Sequence, residues 1–280
     1  MSLALTGVSY TYAAGTSFAT RALVSVDVAF GPGEVVLVLG ATGSGKSTLL
    51  RVAAGLLAPD AGSVTLDGRL VDGPLAVVRP GVGFVFQSPE MQLFAETVEV
   101  DVAFGPRNQG LSEDEARIEA LRALAAVGLD AEEFGTRSPF SLSGGEARRA
   151  AIAGVLAMTP GYLLLDEPTA GLDLSGREAV QAIVVAARTR AGVVVVTHDA
   201  EEFLGVADRV ILLSEGRVIF DGPADELVQS PERFAEAGLR APEILRAQML
   251  ARDAGLALPR FALDPLAAAA LIAGAREGAR

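Results

Sequence analysis

Gly40-Ala-Thr-Gly-Ser-Gly-Lys-Ser-Thr48 is the stretch that decides the fold of this chain. It fits the pattern G-x-x-x-x-G-K-[ST] and follows Val35–Leu39, an apolar run that predicts a buried parallel strand. A helical pattern begins at Lys46. Glycines at these positions let main-chain N–H groups turn inward, and the positive end of the following helix points at the same place. The sequence therefore predicts a phosphate-binding loop.

The side chains of this loop suit a nucleoside triphosphate together with its metal ion. Lys46 can reach the β and γ phosphates, and the hydroxyl of Ser47 can bind Mg²⁺. We therefore expect ATP and Mg²⁺ as cofactors. The residues of the loop that we expect to bind the nucleotide are Gly40, Ala41, Thr42, Gly43, Ser44, Gly45, Lys46, Ser47 and Thr48.

Outward from this loop, short apolar runs alternate with helical patterns. The predicted strands, besides Val35–Leu39, are Val82–Phe86, Tyr162–Leu165, Val193–Val196 and Val210–Leu213. The predicted helices are Lys46–Leu57, Ser112–Val127, Gly145–Met158 and Ser175–Arg188. Alternation of this kind predicts an α/β fold with a mainly parallel core sheet and right-handed crossovers.

The two ends of the chain differ from the middle. Leu3–Tyr12 and Leu23–Phe30 alternate in polarity, which predicts an N-terminal antiparallel β patch. After about Gln229 the strand patterns stop, and Pro231–Arg280 is rich in Ala, Leu and Arg. We expect an ATPase domain over residues 1–229 and a C-terminal helical extension over 230–280.

Composition excludes several classes of protein. The chain has 280 residues, a net charge of −12 and no cysteine, which excludes disulfides and thiolate metal sites. An acidic chain lacks the overall basic charge of a free-standing nucleic-acid binder, so we expect no nucleic-acid partner. Its sequence has no secretory signal pattern and no apolar run of about 18 residues. A membrane function would need a partner that spans the bilayer.

Three polar residues follow two of the predicted strands directly. Asp166 and Glu167 end the run that begins at Tyr162, and His198, the only histidine, follows Val193–Val196. Such positions lie at the ligand edge of an open α/β sheet. Asp166 suits a role in binding Mg²⁺, Glu167 could polarise an attacking water, and His198 could contact the γ phosphate. The alternatives are a solvated loop for the two acids and a structural role for the histidine.

A second glycine pair opens a later helix. In Leu142-Ser-Gly-Gly-Glu-Ala-Arg-Arg149, the residues Ser143, Gly144 and Gly145 stand at a predicted helix N-terminus, where they can form another anion site. One phosphate loop needs only one nucleotide. The second element therefore suggests that Ser143, Gly144 and Gly145 bind the nucleotide of another copy.

This segment resembles the signature motif of ABC ATPases, and the other motifs of that family follow in order. Tyr12 resembles the aromatic residue that stacks on adenine, and Gln87 resembles the Q-loop glutamine, which implies roles for Gln87 in catalysis and at the metal. Asp166 and Glu167 resemble the Walker B pair. Ala170-Gly-Leu-Asp173 resembles the D-loop, which implies that Asp173 contacts the nucleotide, and His198 resembles the switch histidine. The resemblance covers about Leu3 to Leu227.

A narrower resemblance points to the ATPases of energy-coupling factor (ECF) transporters. It rests on Phe86-Gln-Ser-Pro-Glu-Met-Gln-Leu-Phe94, Asp101-Val-Ala-Phe-Gly-Pro106, Arg148–Ala157 and Thr169–Arg177. The resemblance implies a helical signature subdomain over about 88–160 and import of a vitamin or a transition-metal ion. It also implies a second ABC ATPase subunit, either a related chain or this one. The further implied partners are a membrane-embedded coupling protein and a substrate-binding membrane protein, with the chain peripheral at the cytoplasmic face of the cell membrane.

Two alternatives to an importer subunit stay open at this point. One is an exporter ATPase, and the other is a non-transport ABC protein such as a translation factor or a DNA-repair ATPase. The translation type usually joins two such domains, and the repair type inserts a long coiled coil, for which this chain has neither the length nor the heptads. Two residues depart from the ECF pattern: Glu146 replaces the usual Gln, and Leu174 replaces a common Pro.

Two further expectations concern contacts with partners. We expect an apolar groove after Gln87 that accepts a helix of the membrane partner, ringed by acids. Its expected lining is Met91, Leu93, Phe94, Val98, Val102 and Phe104, with Glu90, Glu96, Glu99 and Asp101 around it. We also expect two helical faces of the extension to pack between subunits, the alternative being a cap on its own domain. These faces carry Leu245, Met249 and Leu256, and Leu266, Ala270 and Ala273.

Overall fold

A computed structural model of the chain describes residues 2–71, 81–88 and 92–278. Its larger sheet has the strand order β10-β9-β3-β8-β7-β6, and its smaller sheet has the order β2-β1-β4-β5. The strands are β1 (Leu3–Tyr12), β2 (Thr20–Phe30), β3 (Val35–Leu39), β4 (Ala61–Leu66), β5 (Arg69–Leu70), β6 (Val82–Val85), β7 (Tyr162–Asp166), β8 (Gly192–Thr197), β9 (Arg209–Ser214) and β10 (Arg217–Pro223).

The helices fill the connections between these strands and the end of the chain. They are α1 (Lys46–Ala53), α2 (Val98–Asn108), α3 (Glu113–Ala126), α4 (Ala131–Phe134), α5 (Gly144–Leu156), α6 (Leu174–Ala187), α7 (Ala224–Gln229), α8 (Arg233–Glu236), α9 (Glu243–Asp253) and α10 (Pro265–Gly278). In the described ranges, no helix is long and apolar enough to cross a membrane.

The pairing of the strands confirms the predicted fold class. Strands β6, β7, β8, β3 and β9 pair in parallel, and β10 adds to β9 as an antiparallel edge. The smaller sheet is antiparallel throughout. Because β3, β8, β7 and β6 are parallel neighbours, the segments that follow all four strands meet at one edge of the sheet.

Two apolar clusters cover the two faces of the large sheet. Side chains alternate along a strand, so Leu37 and Leu39 of β3 join one cluster, while Val36 and Val38 join the other. The cluster of Val36 and Val38 also holds α1 and the antiparallel sheet. The opposite cluster holds the core of α2–α6 and continues into the C-terminal helices. Because both faces of the sheet are packed, the strand ends that carry the predicted site are held in place.

Strands β4, β5 and β10 are absent from the sequence-based prediction. β4 has only one fully buried residue, Val64, and contains Gly62 in the left-handed region at φ 83°. β10 ends in Gly222-Pro223. β4 and β10 lie at or next to the edge of a sheet, where a strand is less buried and need not be a long apolar run. The predicted helix Lys46–Leu57 also ends early, at Ala53, because Gly55 takes φ 71°.

The helices α2, α3 and α5 pack against one another beside the large sheet. Their interior includes Leu93, Val98 and Val102, each no more than 6% exposed. The prediction that Val98 and Val102 line a docking groove is therefore wrong, because they form the core of this helical region, whereas Leu93 lines a groove on its surface. Phe94 and Phe104 remain exposed, at 57% and 44%. Met91 and Glu90 lie outside the described residues.

The C-terminal extension is packed onto the ATPase core. Phe234, Leu245 and Phe261 belong to the same apolar cluster as Leu37 of the central strand. The buried Gln248 side chain bonds both main-chain groups of Ala262, at 2.7 and 2.9 Å. The expectation that Leu245 and Met249 face another subunit is wrong, since Leu245 is fully buried in this chain and Met249 packs against the same core. Leu266, by contrast, is 81% exposed. The boundary at residue 229 stays a prediction.

Candidate active site

The phosphate-binding loop connects β3 to α1 at the centre of the large sheet. Gly45 takes φ 106°, and a Cβ added there would lie 2.3 Å from the main-chain oxygen of Ala22. A Cβ at Gly40 would lie equally close to the oxygen of Leu213. Gly43 also takes a positive φ, of 84°, but faces open space. Glycine is thus required for backbone shape at Gly43 and for space at Gly40 and Gly45.

Lys46 lies buried within its own loop. Its Nζ donates hydrogen bonds to the main-chain oxygens of Gly40, at 2.7 Å, and Ala41, at 3.0 Å. Burial lowers the pKa of the Lys46 ammonium, and the nearby carboxylates of Glu167 and Asp166 act in the opposite direction. The Nζ of Lys46 thus lies at the centre of the loop, where it can meet a bound phosphate. Ser44 Oγ is buried there without a hydrogen-bond partner among the described residues.

Ser47 and Asp166 meet across the sheet edge. Ser47 Oγ donates a 2.8 Å hydrogen bond to Oδ1 of Asp166, the last residue of β7. Burial raises the pKa of Asp166, and the bond from Ser47 partly offsets this effect. A hydroxyl and a carboxylate side by side suit a hard cation such as Mg²⁺. No cluster of three or more acidic, His or Cys ligands occurs in the described part of the chain. That donor set fits an ion that takes its other ligands from phosphate and water.

Glu167 is held by the two residues at the end of the neighbouring strand β8. Thr197 Oγ1 donates to Oε2 of Glu167 at 3.1 Å, and His198 Nδ1 lies 2.9 Å from Oε1. The Glu167 backbone takes φ 50°, a left-handed conformation that few residues other than glycine adopt. Its N–H donates to the oxygen of Val196 at 2.9 Å. The predicted base and the predicted switch histidine are therefore in direct contact.

Tyr12 lies beside the far end of the phosphate-binding loop. Its hydroxyl is 3.2 Å from Oγ1 of Thr48, and its ring packs edge-on against Tyr10 with the centroids 4.9 Å apart. The Tyr12 ring is 36% exposed. The exposed ring next to the loop is where the resemblance places the adenine; that role stays a prediction.

Sequence reasoning missed one residue that connects the separate parts of the site. Arg148, in α5, is 6% exposed, and its Nη1 donates to the main-chain oxygens of Gln87, at 2.6 Å, and Glu167, at 3.2 Å. Its Nη2 donates to the oxygen of Ala170 at 2.9 Å. The Gln87 side chain itself is exposed. The sequence does hold a signal for this role, because Arg148 stands on the face of α5 that its apolar residues predict to be buried.

The signature segment lies at the surface of the subunit. Ser143 caps α5: its N–H donates to Glu146 Oε2 at 2.7 Å, and its Oγ accepts from the Glu146 N–H at 3.4 Å. These bonds from Ser143 lower the pKa of Glu146. Glu146 therefore completes the capping box that Gln would complete in the ECF pattern. Ser143 and Gly144 are exposed, and a Cβ at Gly144 would meet nothing within 4 Å.

Asp173 has a local structural role that the family resemblance does not imply. Its Oδ1 accepts from the N–H of Gly176 at 2.8 Å and from Ser175 Oγ at 3.1 Å, which caps α6 and lowers the pKa of Asp173. Asp173 is also exposed, so it is accessible for a contact with a second subunit.

A second unpredicted network ties this region to the loop after His198. Glu202 bonds Thr169 Oγ1 and forms a 2.8 Å ion pair with Arg177. Burial raises the pKa of Glu202. The structure thus brings together the phosphate loop, Asp166, Glu167 and His198, while the signature segment points outward.

Comparison with known proteins agrees with this geometry. The family model described as ABC transporter matches residues 23–170. The energy-coupling factor transporter ATP-binding protein EcfA2 of Listeria monocytogenes is 44% identical over 257 residues, covering 89% of each chain. The protein of the same name from Clostridium acetobutylicum is 41% identical over 249 residues, covering 87% of each.

Solved structures give the same assignment. The cbiO1 protein of Clostridium perfringens, part of the ABC transporter complex cbiONQ, superposes with a TM-score of 0.73 at 36% identity, covering 88% of this chain and 98% of its own. The ATP-binding cassette MJ0796, seen as a dimer bound to ADP and Pi, gives 0.71 at 32% identity, covering 79% and 98%. This chain therefore belongs to the ABC transporter family, as an ATP-binding and ATP-hydrolysing subunit of the energy-coupling factor type.

Proposed function

We propose that this ATPase powers an ECF-type importer of a vitamin or a transition-metal ion. Two of its relatives, each at least 41% identical over 87% or more of both chains, carry the energy-coupling factor name. The observation that carries the proposal is the tie through Arg148. This residue connects the backbone of Glu167, at the hydrolytic site, to the backbone of Gln87, where the chain enters the helical region.

Within the site, each side chain has a distinct role in the proposal. ATP, when bound, supplies the phosphoanhydride bond whose hydrolysis drives the cycle. Lys46 and the N–H groups of the loop bind the phosphates. The carboxylate of Glu167 is the group that would accept the proton of an attacking water, and its contacts with Thr197 and His198 hold it in position. His198, in contact with Oε1, keeps the carboxylate oriented.

Mg²⁺ completes the proposed cofactor set. Ser47 and Asp166 are the residues that would hold it, with Gln87 joining through its exposed side chain. The 2.8 Å contact between Ser47 and Asp166 supports this assignment, because both oxygens occupy one place at the sheet edge. Asp166 must be ionised for that role, and its raised pKa makes metal binding sensitive to acid.

A complete hydrolytic site needs a second ATPase subunit in this proposal. Ser143 and Gly144 are exposed and Gly145 is half-buried, which leaves the N-terminus of α5 available to another subunit's nucleotide. The partner is either a related chain or a second copy of this one. Asp173, exposed at the start of α6, would lie at the same junction.

The proposed contact with the membrane partner is smaller than the sequence suggested. A groove of about 210 Å³ lies on the helical region, and the exposed rings of Phe94 and Phe104 stack edge-to-face at its rim, 4.7 Å apart. Its floor includes Gly154, in the last turn of α5, and Met158, just after that helix. Such a groove fits an apolar helix of a coupling protein.

The predicted ring of acids is largely committed to internal contacts. Asp101 is buried and accepts hydrogen bonds from the N–H groups of Phe94 and Ala95, both at 2.7 Å. Glu99 pairs with Arg117 at 2.7 Å. Asp101 therefore shapes the groove rather than attracting a cationic partner. Of the predicted acids that the structure describes, Glu96 is exposed and could attract such a partner.

Purification and transport test the proposal together. Tagged protein extracted from membranes should co-purify with a small multi-span coupling protein and a substrate-binding membrane protein. It should lie at the cytoplasmic face, released by protein denaturants without detergent. Reconstituted vesicles should take up the vitamin or metal ion only with ATP on the ATPase side. Outward transport would favour the exporter alternative, and a complex without any membrane protein would favour a non-transport role.

A further inference from the structure

The C-terminal extension contacts the phosphate-binding loop directly. The N–H of Ala41 donates a 3.2 Å hydrogen bond to the main-chain oxygen of Ala237, at the end of α8. The next residue, Gly238, takes φ 69°, and a Cβ placed there would lie 3.3 Å from Cβ of Ala41. The first turn of the loop is thus held against the extension by one backbone bond and a close approach.

The segment that makes this contact is itself firmly placed. Phe234 and Ala237 are buried at 0% and 1% exposure within the main core cluster. The chain reverses at Gly238, with the Leu239 N–H bonded to the Phe234 oxygen at 2.8 Å. An acceptor anchored in this way can restrain Ala41, whereas a loose tail could not.

The same segment also reaches the loop after His198. The N–H of Glu243, the first residue of α9, donates a 2.6 Å hydrogen bond to Oε1 of Glu201. Glu201 lies three residues after His198 and next to Glu202, whose carboxylate bonds Thr169. Residues 237–243, here called the brace, therefore touch the phosphate-binding loop at one end and the switch-histidine loop at the other.

We propose that the brace positions the nucleotide site from within the same chain, so that its displacement weakens ATP binding by the isolated subunit. The inference rests on the proposed binding of ATP by Gly40–Thr48. An anion-binding loop must hold its N–H groups in place before the ligand arrives, because ordering them on binding lowers affinity. The Ala41 N–H is bonded to the brace, and the main-chain oxygen of Ala41 accepts a 3.0 Å hydrogen bond from the Ser44 N–H, so a shift of the brace would pass through Ala41 into the loop. Any partner or ligand that moves the extension would then change nucleotide affinity.

Two glycines of the extension provide a matched test. Gly238 and Gly255 each follow the end of a helix in the left-handed region, at φ 69° and 92°. A Cβ at Gly238 approaches Ala41, whereas a Cβ at Gly255 meets nothing within 4 Å. Gly238→Ala and Gly255→Ala thus both place an alanine in the left-handed region, but only Gly238→Ala also presses on the loop.

Binding of ATP to the full-length subunit is the measurement, made by calorimetry with Mg²⁺ absent so that no turnover occurs. We expect Gly238→Ala to raise Kd by about five- to tenfold, the scale of left-handed strain passed to the loop. Gly255→Ala should bind as the parent does. Equal Kd values for the two variants, both folded by circular dichroism, would overturn the proposal.

Two additional variants separate the possible failures. Glu201→Ala removes the acceptor for the Glu243 N–H and should lower kcat about tenfold while leaving Kd within twofold, since it loosens the histidine loop and not the phosphate loop. An unchanged kcat would remove the second contact from the proposal. Lys46→Ala should abolish binding whether or not the brace acts. If Lys46→Ala binds ATP normally, the proposed nucleotide site has failed rather than the brace.

Discussion

Arg148 donates a 2.6 Å hydrogen bond from Nη1 to the main-chain oxygen of Gln87, and the same nitrogen lies 3.2 Å from the oxygen of Glu167. Arg148 stands one turn into α5, the helix whose N-terminus carries Ser143. Under the proposed function, one helix would therefore present an anion site to a neighbouring subunit at its N-terminus, while its side holds the backbone of Gln87 and Glu167 in its own subunit. A movement of α5 would therefore displace Ser143 at its N-terminus together with the backbone of Gln87 and Glu167.

Arg148→Lys should lower kcat strongly while the protein stays folded. A lysine ammonium cannot span the carbonyls that the planar guanidinium reaches, so Gln87 and Glu167 lose their common donor. Each lost bond to a charged donor is worth about 1.5–3 kcal/mol. We expect kcat to fall about 10- to 100-fold with ATP affinity little changed, measured by steady-state hydrolysis and calorimetry.

Arg209 provides the control for that substitution. It pairs with Asp221 and donates to the main-chain oxygen of Ala29, but it stands at the start of β9, at the sheet edge opposite the site. Arg209→Lys should lower the melting temperature without lowering kcat per folded molecule. If both variants reduce kcat equally, the role assigned to Arg148 is merely structural.

Glu167→Gln should keep ATP binding and reduce hydrolysis about 10²–10⁴-fold, the usual effect of losing a general base. The amide can still accept from Thr197, so the loop geometry should survive. The ATP-bound closed dimer should accumulate, which size-exclusion chromatography with ATP can measure. Lys46→Ala should instead lose nucleotide binding. Near-normal turnover in Glu167→Gln would remove that side chain from the mechanism.

The sequence predicts those parts of the site that depend on local order. Asp166 ends a buried strand, and Glu167 and His198 each follow one directly, so the parallel sheet alone brings them to one edge. Arg148 and Ala237 could not be found this way, because their contacts depend on how α5 and the extension pack. Ala237 contacts Ala41 through main-chain atoms, which leave no residue-type pattern to recognise. The same limit applies to Val98 and Val102, whose apolar character did not reveal which side they face.

Asp166 should make the stability of the nucleotide-free subunit depend on pH. Burial raises the folded-state pKa of Asp166 above its unfolded value, which is about 4. Between these two pKa values the folded state binds more protons, so this contribution to stability is fully present below the unfolded pKa and is lost as pH rises through the folded pKa. Ser47→Ala removes a bond that favours the ionised form, so the loss should extend to higher pH.

Thermal unfolding measured across the acid range checks this assignment. Asp166→Asn cannot titrate and should remove the effect, along with metal-dependent nucleotide binding. In the parent protein that binding should fade as acid protonates Asp166, at a higher pH than for an ordinary aspartate. The same pH profile in the parent and in Ser47→Ala would show that another group controls it.

Mixed dimers test whether Ser143 and Lys46 of different subunits form one site. Lys46→Ala subunits and Ser143→Arg subunits should each hydrolyse ATP poorly alone. A dimer of one of each retains one intact composite site, formed by Lys46 of the second and Ser143 of the first. Hydrolysis by mixed dimers isolated through two affinity tags should therefore recover to about half the parent rate, since one of two sites is whole. Activity no higher than either single mutant would reject the sharing.

The last prediction concerns the groove beside Phe94 and Phe104. These rings are 57% and 44% exposed and stack on each other 4.7 Å apart, so charged replacements can be solvated without entering the core. Leu93 is unsuitable for such a test, since at 6% exposure an aspartate there would unfold the helical region. Phe94→Asp combined with Phe104→Asp should release the membrane partner and abolish uptake, while ATP binding stays within about twofold of the parent.

A third exposed aromatic residue supplies the matched control for this double substitution. Phe18, in the turn between β1 and β2, is 82% exposed and lies on the antiparallel sheet rather than on the helical region. Phe18→Asp makes the same Phe-to-Asp replacement at a single site and should leave co-purification and uptake intact. The groove would be excluded as the docking site if the doubly substituted subunit still co-purified with its membrane partner and drove uptake. Loss of the partner from Phe18→Asp as well would point to a general effect of surface charge.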